Sequence, residues 1–419
     1  MIKFSKANNE ERTIGITSGP GPIVAGAVIS AFGDALIPIA FAIECHRVEP
    51  RGWGMASVLF LLWSGRFMGV TLTRRMRPSE HPVRTMMIAD LTRALAQLGL
   101  LAALAFTTIS GSFQTVAAMS ISSFIYGLAA AFFAPARFIS LSKLSSGGRL
   151  NQVNSILSMV GDVSAILGPI IGSLAVVWLG FDRVLLLDGI SFLIAFVLLL
   201  PLKSLRVVND QDDSPEETVT PGHQTRMPQW FMSGLVAWGV LTVTIGVLGV
   251  AGPTEALSKF GVTGWATVSV FLGVGSLLAS TTTLLGISGS TKWRVLLVVT
   301  ASLMALQVVA FIAAPNVWIL VVAGLAGSMA VTLSGIRWDT MGQSLRTPWS
   351  VHEFATLDQL VTTTAIPLGM VLYGVAGFFD ATASLLWILA LMCSGIAFWS
   401  LFASQPSSSD FRSDHELPV

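Results

Sequence analysis

The sequence predicts an all-α integral membrane protein of about twelve transmembrane helices in two six-helix bundles, and three observations carry that prediction. Charged residues are only 11% of the chain and hydrophobic residues 53%, whereas soluble domains run near roughly 25% charged. Mean hydropathy is +0.74, and apolar runs long enough to cross about 30 Å of hydrocarbon recur from one end to the other. The most polar internal stretch, 203–228, holds Asp210, Asp212, Asp213, Glu216 and Glu217 with Pro215 and Pro221, and it leaves six runs on either side. Too short and too poor in apolar residues to fold alone, it reads as a linker.

The elements follow in order. Residues 1–21 form a polar tail. The first span, 22–43, carries Asp34 with no basic residue in the run and no small-residue cleavage site, so it reads as a retained helix rather than a signal peptide. The second, 53–73, contains Arg66; the third, 85–107, contains Asp90 and Arg93; the fourth, 114–136, has Ser120, Ser122, Ser123 and Tyr126. The fifth, 153–179, carries Asp162, and the sixth, 184–202, has Asp188 five residues in, closing a first bundle of 22–202. The second bundle, 229–403, comprises 229–251, 264–286, 294–314, 316–337, 352–378 and 383–403, followed by a tail, 404–419. Its polarity is mild: Trp238, Thr242 and Thr244, then Ser280 to Thr283, Gln307, Ser328, Thr332 and, near the start of the eleventh span, Asp358.

Lys and Arg set the orientation. With the N-terminus inside, the inner segments collect Lys3, Lys6, Arg12, Arg74, Arg75, Arg77, Arg84, Arg137, Lys143, Arg149, Lys203, Arg206, Arg226, Lys292, Arg294, Arg337, Arg346 and Arg412. The outer loops hold only Arg47, Arg51, Arg183 and Lys259, so both termini are expected in the cytoplasm. Basic residues spread in this way are topology signals, and nucleic acid is dropped as a partner. There is no Walker A sequence, no metal-type Cys/His cluster and no nucleophile elbow, which argues against ATP, a bound metal, a cofactor or enzymatic catalysis. Cys45 and Cys393 fall at different depths, so a disulfide is not expected. Tight loops such as 107–112 and 180–183 leave recognition to the space between helices.

Ionisable groups inside the spans are the functional suspects. Gly26, Ser30, Asp34 and Pro38 recur every four residues, which puts Asp34 on a small, polar stripe that must face inward. Two readings stand: a carboxylate that binds a proton or a cationic substrate group, or one hydrogen-bonded to a neighbouring helix. Asn151, Asn154, Ser155, Ser158 and Asp162 make a second polar face leading to Gly168, Pro169 and Gly172, a step that reads as close helix packing. Asp34 and Asp162, at similar depth, are candidates to share one cavity. Asp90 and Arg93, three apart, form a structural or gating pair. Arg66 either snorkels or pairs with an acid not identifiable from sequence. Asp188 and Asp358 lie at depths shallow enough for hydration, with helix-terminal or interhelical hydrogen-bonding roles. A cavity lined by Ser30, Tyr126, Trp238, Thr242 and Thr332 would be mostly apolar, suited to an amphipathic organic molecule.

Several stretches carry a family likeness: Ile29-Ser-Ala-Phe-Gly-Asp-Ala-Leu36, Ala89-Asp-Leu-Thr-Arg-Ala-Leu-Ala-Gln97, Pro135-Ala-Arg137, Leu167-Gly-Pro-Ile-Ile-Gly172, Leu187-Asp-Gly-Ile-Ser-Phe192, Trp338-Asp-Thr340, Thr356-Leu-Asp358 and Pro367-Leu-Gly369. In these the chain resembles the major facilitator superfamily, and within it the bacterial exporters of drugs and natural products, including macrolide efflux proteins and the enterobactin exporter. The resemblance implies alternating access, with a small molecule exported in exchange for protons; a bacterial cytoplasmic membrane is the expected setting, and a monomer is favoured although the sequence leaves the oligomeric state open. Spans one, four, seven and ten would line the cavity, which favours Asp34 over Asp162 for coupling. Gly168, Pro169 and Gly172 look like the antiporter motif of the fifth helix. One departure stands out: relatives read Gly-x-x-x-Asp-Arg after the second span, and this chain reads Gly69-Val-Thr-Leu-Thr-Arg-Arg75, with Thr73 in place of the gate-locking acid. Asp90 is then a possible partner for Arg74 or Arg75. An uncoupled facilitator, an importer, and a non-transporting sensor on the same scaffold are the alternative readings.

Overall fold

A computed structural model describes residues 19–50, 52–106, 112–207, 227–287 and 292–412, so the acidic part of the linker lies outside the described residues. The first bundle is built from α1 (Gly21–Val48), α2 (Trp53–Arg75), α3 (Pro82–Phe106), α4 (Ser112–Leu144), α5 (Gly147–Leu179) and α6 (Phe181–Leu199). The second begins with one helical run, Gln229–Leu284, broken only at Gly261 into α7 (229–260) and α8 (262–284). It continues with α9 (Trp293–Ala313), α10 (Val317–Gln343), α11 (Pro348–Phe378) and α12 (Thr382–Ser400).

Two expectations are corrected. The segment 252–263, left between the predicted seventh and eighth spans, is helical apart from Gly261. Pro253 costs one backbone hydrogen bond without ending the helix, a loss that membrane helices tolerate. The turn falls at Gly261, whose φ of 68° and ψ of −172° suit a residue without a Cβ. Secondly, α4 and α10 run well past the ends of their apolar stretches, to Leu144 and Gln343.

Small residues set the packing within each bundle, as expected where lipid offers no competing hydrophobic drive. A Cβ added to Gly65 of α2 would lie 2.2 Å from the Phe124 carbonyl oxygen, and one on Gly127 of α4 would lie 2.3 Å from that of Leu62. The second bundle repeats the device, with Gly275 of α8 against the Leu325 carbonyl of α10 at 2.3 Å. Likewise α5 lies on α1 through Gly168, 2.8 Å from Ala35 Cβ by the same measure. In parallel, α7 and α11 meet through Gly246 and Gly369 at 2.2 and 2.3 Å from opposing carbonyl oxygens. The α5 backbone bends by 55° between Gly168 and Ile170, where Pro169 supplies no amide hydrogen.

The start of α1 and the end of α12 share one end of the molecule, here the tail end. There Val207 N donates to Glu80 O at 2.8 Å, and Arg346 N donates to Asp410 O at 3.2 Å. The two bundles are sealed to each other on this side. Phe138 of α4 stacks on Phe354 of α11 with centroids 5.6 Å apart, Asn154 of α5 bonds to α10, and Arg412 Nη1 donates to the Ser142 carbonyl at 3.0 Å. Behind Phe354, Trp338 stacks between Phe231 and Trp293, a rigid aromatic core under the second bundle.

Candidate substrate and coupling site

Arg93 is the hub of the first bundle's charges. It is 4% exposed and pairs with Asp90, one turn earlier on α3 and itself 0% exposed. Its other guanidinium nitrogen lies 4.0 Å from Asp34 Oδ2 on α1. The guanidinium also sits over Phe192 and Phe133, 4.3 and 4.5 Å from their centroids, a stacking geometry that arginine's planar, weakly hydrated head favours. Arg66 of α2 stacks over Trp63 at 5.2 Å, and Asp34 feels the charges of Arg66, Arg93 and Arg137 together. Asp34 keeps 39% of its side-chain surface despite its depth in α1. Among the described residues Arg93 is the basic group within 4.0 Å of it.

Asp188 of α6 is not hydrated. It is 0% exposed, and a Cβ on Gly33 would meet its Oδ1 at 2.2 Å, so the absence of a side chain at Gly33 is what admits this carboxylate against α1. Gln97 of α3 faces it.

A cavity of about 340 Å³ lies between the bundles, lined by Arg137, Asn154 and Ser158 from the first and by Trp238, Thr332 and Asp339 from the second, among others. Asn154 Nδ2 donates to Thr340 Oγ1 at 3.0 Å and to Gln343 Oε1 at 2.8 Å, closing its floor. Arg137 and Asp339 face each other's charge across the bundle boundary. Asp358 of α11 accepts a 2.8 Å hydrogen bond from Trp338 Nε1, an interhelical role.

At the tail end the missing acid is compensated from the other bundle. Thr73 is buried and spends its hydroxyl on the Gly69 carbonyl at 2.8 Å. Arg74 reaches Glu353 of α11 at 3.6 Å, while Asp90 is committed to Arg93 and serves neither Arg74 nor the exposed Arg75. His352, also on α11, is buried beside the Thr73 and Met76 carbonyls.

The remaining expected positions divide. Trp238 and Thr332 line the cavity. Tyr126 packs edge-on against Phe192 beneath Arg93. Ser30 and Thr242 are buried and bond to carbonyls of their own helices, Ala27 at 3.3 Å and Trp238 at 2.6 Å. Gly168 and Gly172 contact α1 as packing positions. Asp34 and Asp162 are not brought to a shared partner: Asp34 has Arg93, and Asp162 turns to Ser280 of α8 at 3.4 Å. Sequence reasoning passed over Arg137 and Asp339 as site residues, although both stand in the motifs Pro135-Ala-Arg137 and Trp338-Asp-Thr340. Just past the predicted fourth span, Arg137 read as a topology signal, and Asp339 fell just past the predicted tenth; the extra turns of α4 and α10 enclose them instead.

Two helical bundles enclose a charged interior cavity, the architecture of a membrane transporter. The profile of the Major Facilitator Superfamily matches residues 23–338, and the chain belongs to that superfamily. No match is found among curated protein sequences. Among solved structures, a bacterial homologue of the iron transporter ferroportin in an outward-facing state with soaked iron is similar at a TM-score of 0.69 and 14% identity, over 91% of this chain and 98% of that one. A proton:xylose symporter bound to 6-bromo-6-deoxy-D-glucose aligns at 0.67 and 14% identity over 91% and 94%. The E. coli fucose:proton symporter aligns at 0.66 and 10% identity over 92% and 98%. At these identities the likeness establishes the fold.

Proposed function

We propose that this protein exports an amphipathic small molecule, of the drug or natural-product kind, in exchange for protons, with Asp34 as the proton site and the tail end facing the cytoplasm of a bacterial inner membrane. The observation that supports this reading is the placement of Asp34 among Arg93, Arg66 and Arg137, with Arg137 facing Asp339 of the opposite bundle. When Asp34 is ionised it offsets part of the positive charge of the three guanidinium groups. When it takes a proton that charge is uncompensated, and the net attraction of the first bundle's charge cluster for Asp339 across the cavity strengthens. Proton binding on one bundle is thereby felt at the boundary with the other, the differential interaction that a two-state carrier requires. Trp238, Phe138 and Leu141 give the cavity apolar surface beside its polar groups, the mixture an amphipathic ligand needs.

Everted membrane vesicles energised by respiration test the reading with a panel of macrolides and amphipathic dyes. Accumulation that collapses on adding a protonophore, and is lost in Asp34→Asn, is the expected result. Undiminished proton-driven uptake by Asp34→Asn overturns the assignment of Asp34, and uptake indifferent to the pH gradient selects an uncoupled carrier.

A further inference from the structure

Asp162 has no place in the scheme above, and its surroundings are unlike those of Asp34. Among the described residues it makes no ion pair. Instead hydroxyl groups of α5 and α8, one helix from each bundle, gather beside it, with Thr332 of α10 one hydrogen bond further out. On α5, Ser158 stands one turn before Asp162; on α8, Ser276 and Ser280 are likewise one turn apart, and both hydroxyls face the Asp162 carboxylate. Ser280 Oγ lies 3.4 Å from Asp162 Oδ2 and 3.2 Å from Ser158 Oγ. Ser276 Oγ is 2.9 Å from Thr332 Oγ1 of α10. Ser280 is 0% and Ser276 9% exposed.

We infer that this cluster is a binding site for a small monovalent cation, sodium in the first instance. Every donor is an oxygen, the preference of hard cations. Calcium, whose ionic radius sodium nearly shares, sits about 2.3–2.6 Å from its oxygen ligands, which puts ligands at right angles about 3.3–3.7 Å apart. The 3.4 and 3.2 Å separations lie at or beside that spacing. A single carboxylate matches a single positive charge, whereas a divalent ion would leave one charge uncompensated at the helix interface. Gly275 lets α8 approach the Leu325 carbonyl of α10 closely, an added Cβ there lying 2.3 Å from that oxygen, so the cluster sits at a tight helix junction. Access is provided, since Ser158 and Thr332 also line the inter-bundle cavity. Because the ligands come from both bundles, an ion bound here holds α5 to α8. Binding of the ion is independent of the export reading; its service as a second coupling ion rests on it.

Thermal unfolding of the purified full-length protein in detergent, with sodium chloride titrated against choline chloride at constant pH and ionic strength, tests the site without any transport substrate. Sodium is expected to raise the unfolding midpoint saturably in the wild type and in Asp34→Asn, and potassium to do so less. Asp162→Asn abolishes the rise, and Ser280→Ala moves half-saturation to about tenfold higher sodium. If Asp162→Asn does not fold, the double variant Ser276→Ala/Ser280→Ala decides the matter by the same titration. A rise identical in choline, or one retained in full by Asp162→Asn or by the double serine variant, overturns the proposal and leaves proton-driven export through Asp34 standing on its own vesicle assay.

Discussion

Replacing Arg93 with methionine is expected to destabilise the first bundle by about 3–5 kcal/mol, and neutralising Asp90 in the same protein is expected to recover most of the loss. The magnitude follows from what the guanidinium touches. Asp90 is 0% exposed and bonded to Arg93, and removing one partner of a buried pair costs about 3–5 kcal/mol because the other charge is stranded. Asp34, 4.0 Å away, would by Coulomb's law contribute about 4 kcal/mol at an effective dielectric near 20. Its 39% exposed side chain is screened by solvent, which reduces that share to about 1 kcal/mol or less. Stacking over Phe192 and Phe133 adds about 0.5–2 kcal/mol, part of which methionine restores through its own contacts with the rings. Asp90 therefore dominates, and Arg93→Met/Asp90→Leu removes both charges together, a change that is often near neutral. Unfolding in mixed detergent micelles of the two single variants and the double gives the coupling energy directly. A double variant no more stable than Arg93→Met, or a loss of less than about 1 kcal/mol in the single, would refute the stranded-charge account.

Other consequences can be checked with the same preparation. Gly65→Ala and Gly127→Ala each force a Cβ to within 2.2–2.3 Å of a facing carbonyl oxygen, so α2 and α4 must separate; a loss of about 1–3 kcal/mol and a lower yield of monodisperse protein by size-exclusion chromatography are expected from each. Gly261→Ala places a side chain on a backbone at φ 68°, ψ −172°, at a cost of about 1–3 kcal/mol in unfolding free energy, although nothing lies within 4 Å to obstruct it. Arg74→Glu and Glu353→Arg each break a 3.6 Å pair that is partly exposed, worth about 1 kcal/mol at most. Spin-label distances between α2 and α11 should report a fewfold loss of the sealed tail end in each single variant and its return in the double charge swap.

The apolar runs were legible because a bilayer demands long stretches without charge, and each of them coincides with a helix of the structure. Their ends were not. Pro253 and Gly252 resemble a helix stop in water, yet in a packed bundle the freed carbonyl is tolerable and the helix continues to residue 260. The period of four placed Asp34 on an inward stripe, but its partner Arg93 stands on α3, far along the chain, and no local pattern records such a contact. Arg137 and Asp339 show the same limit: each was visible as a residue, while their apposition depends on how two bundles meet. The Gly33–Asp188 contact was hidden for another reason, since a glycine in a membrane helix is too common to signal that a carboxylate fills the space beside it.

The continuity of α7 and α8 has a mechanical meaning. A junction several residues long can absorb movement by stretching or by reorienting its loop, but the joint at Gly261 is a single residue and offers two torsions. Any tilt of α8 against α5 must be taken up there or passed to α7, whose Trp238 stands in the wall of the cavity. An insertion after Gly261 adds slack at that joint and separates the two movements. The single-residue elbow thus makes the second bundle's cavity helix and its boundary helix behave as one jointed lever.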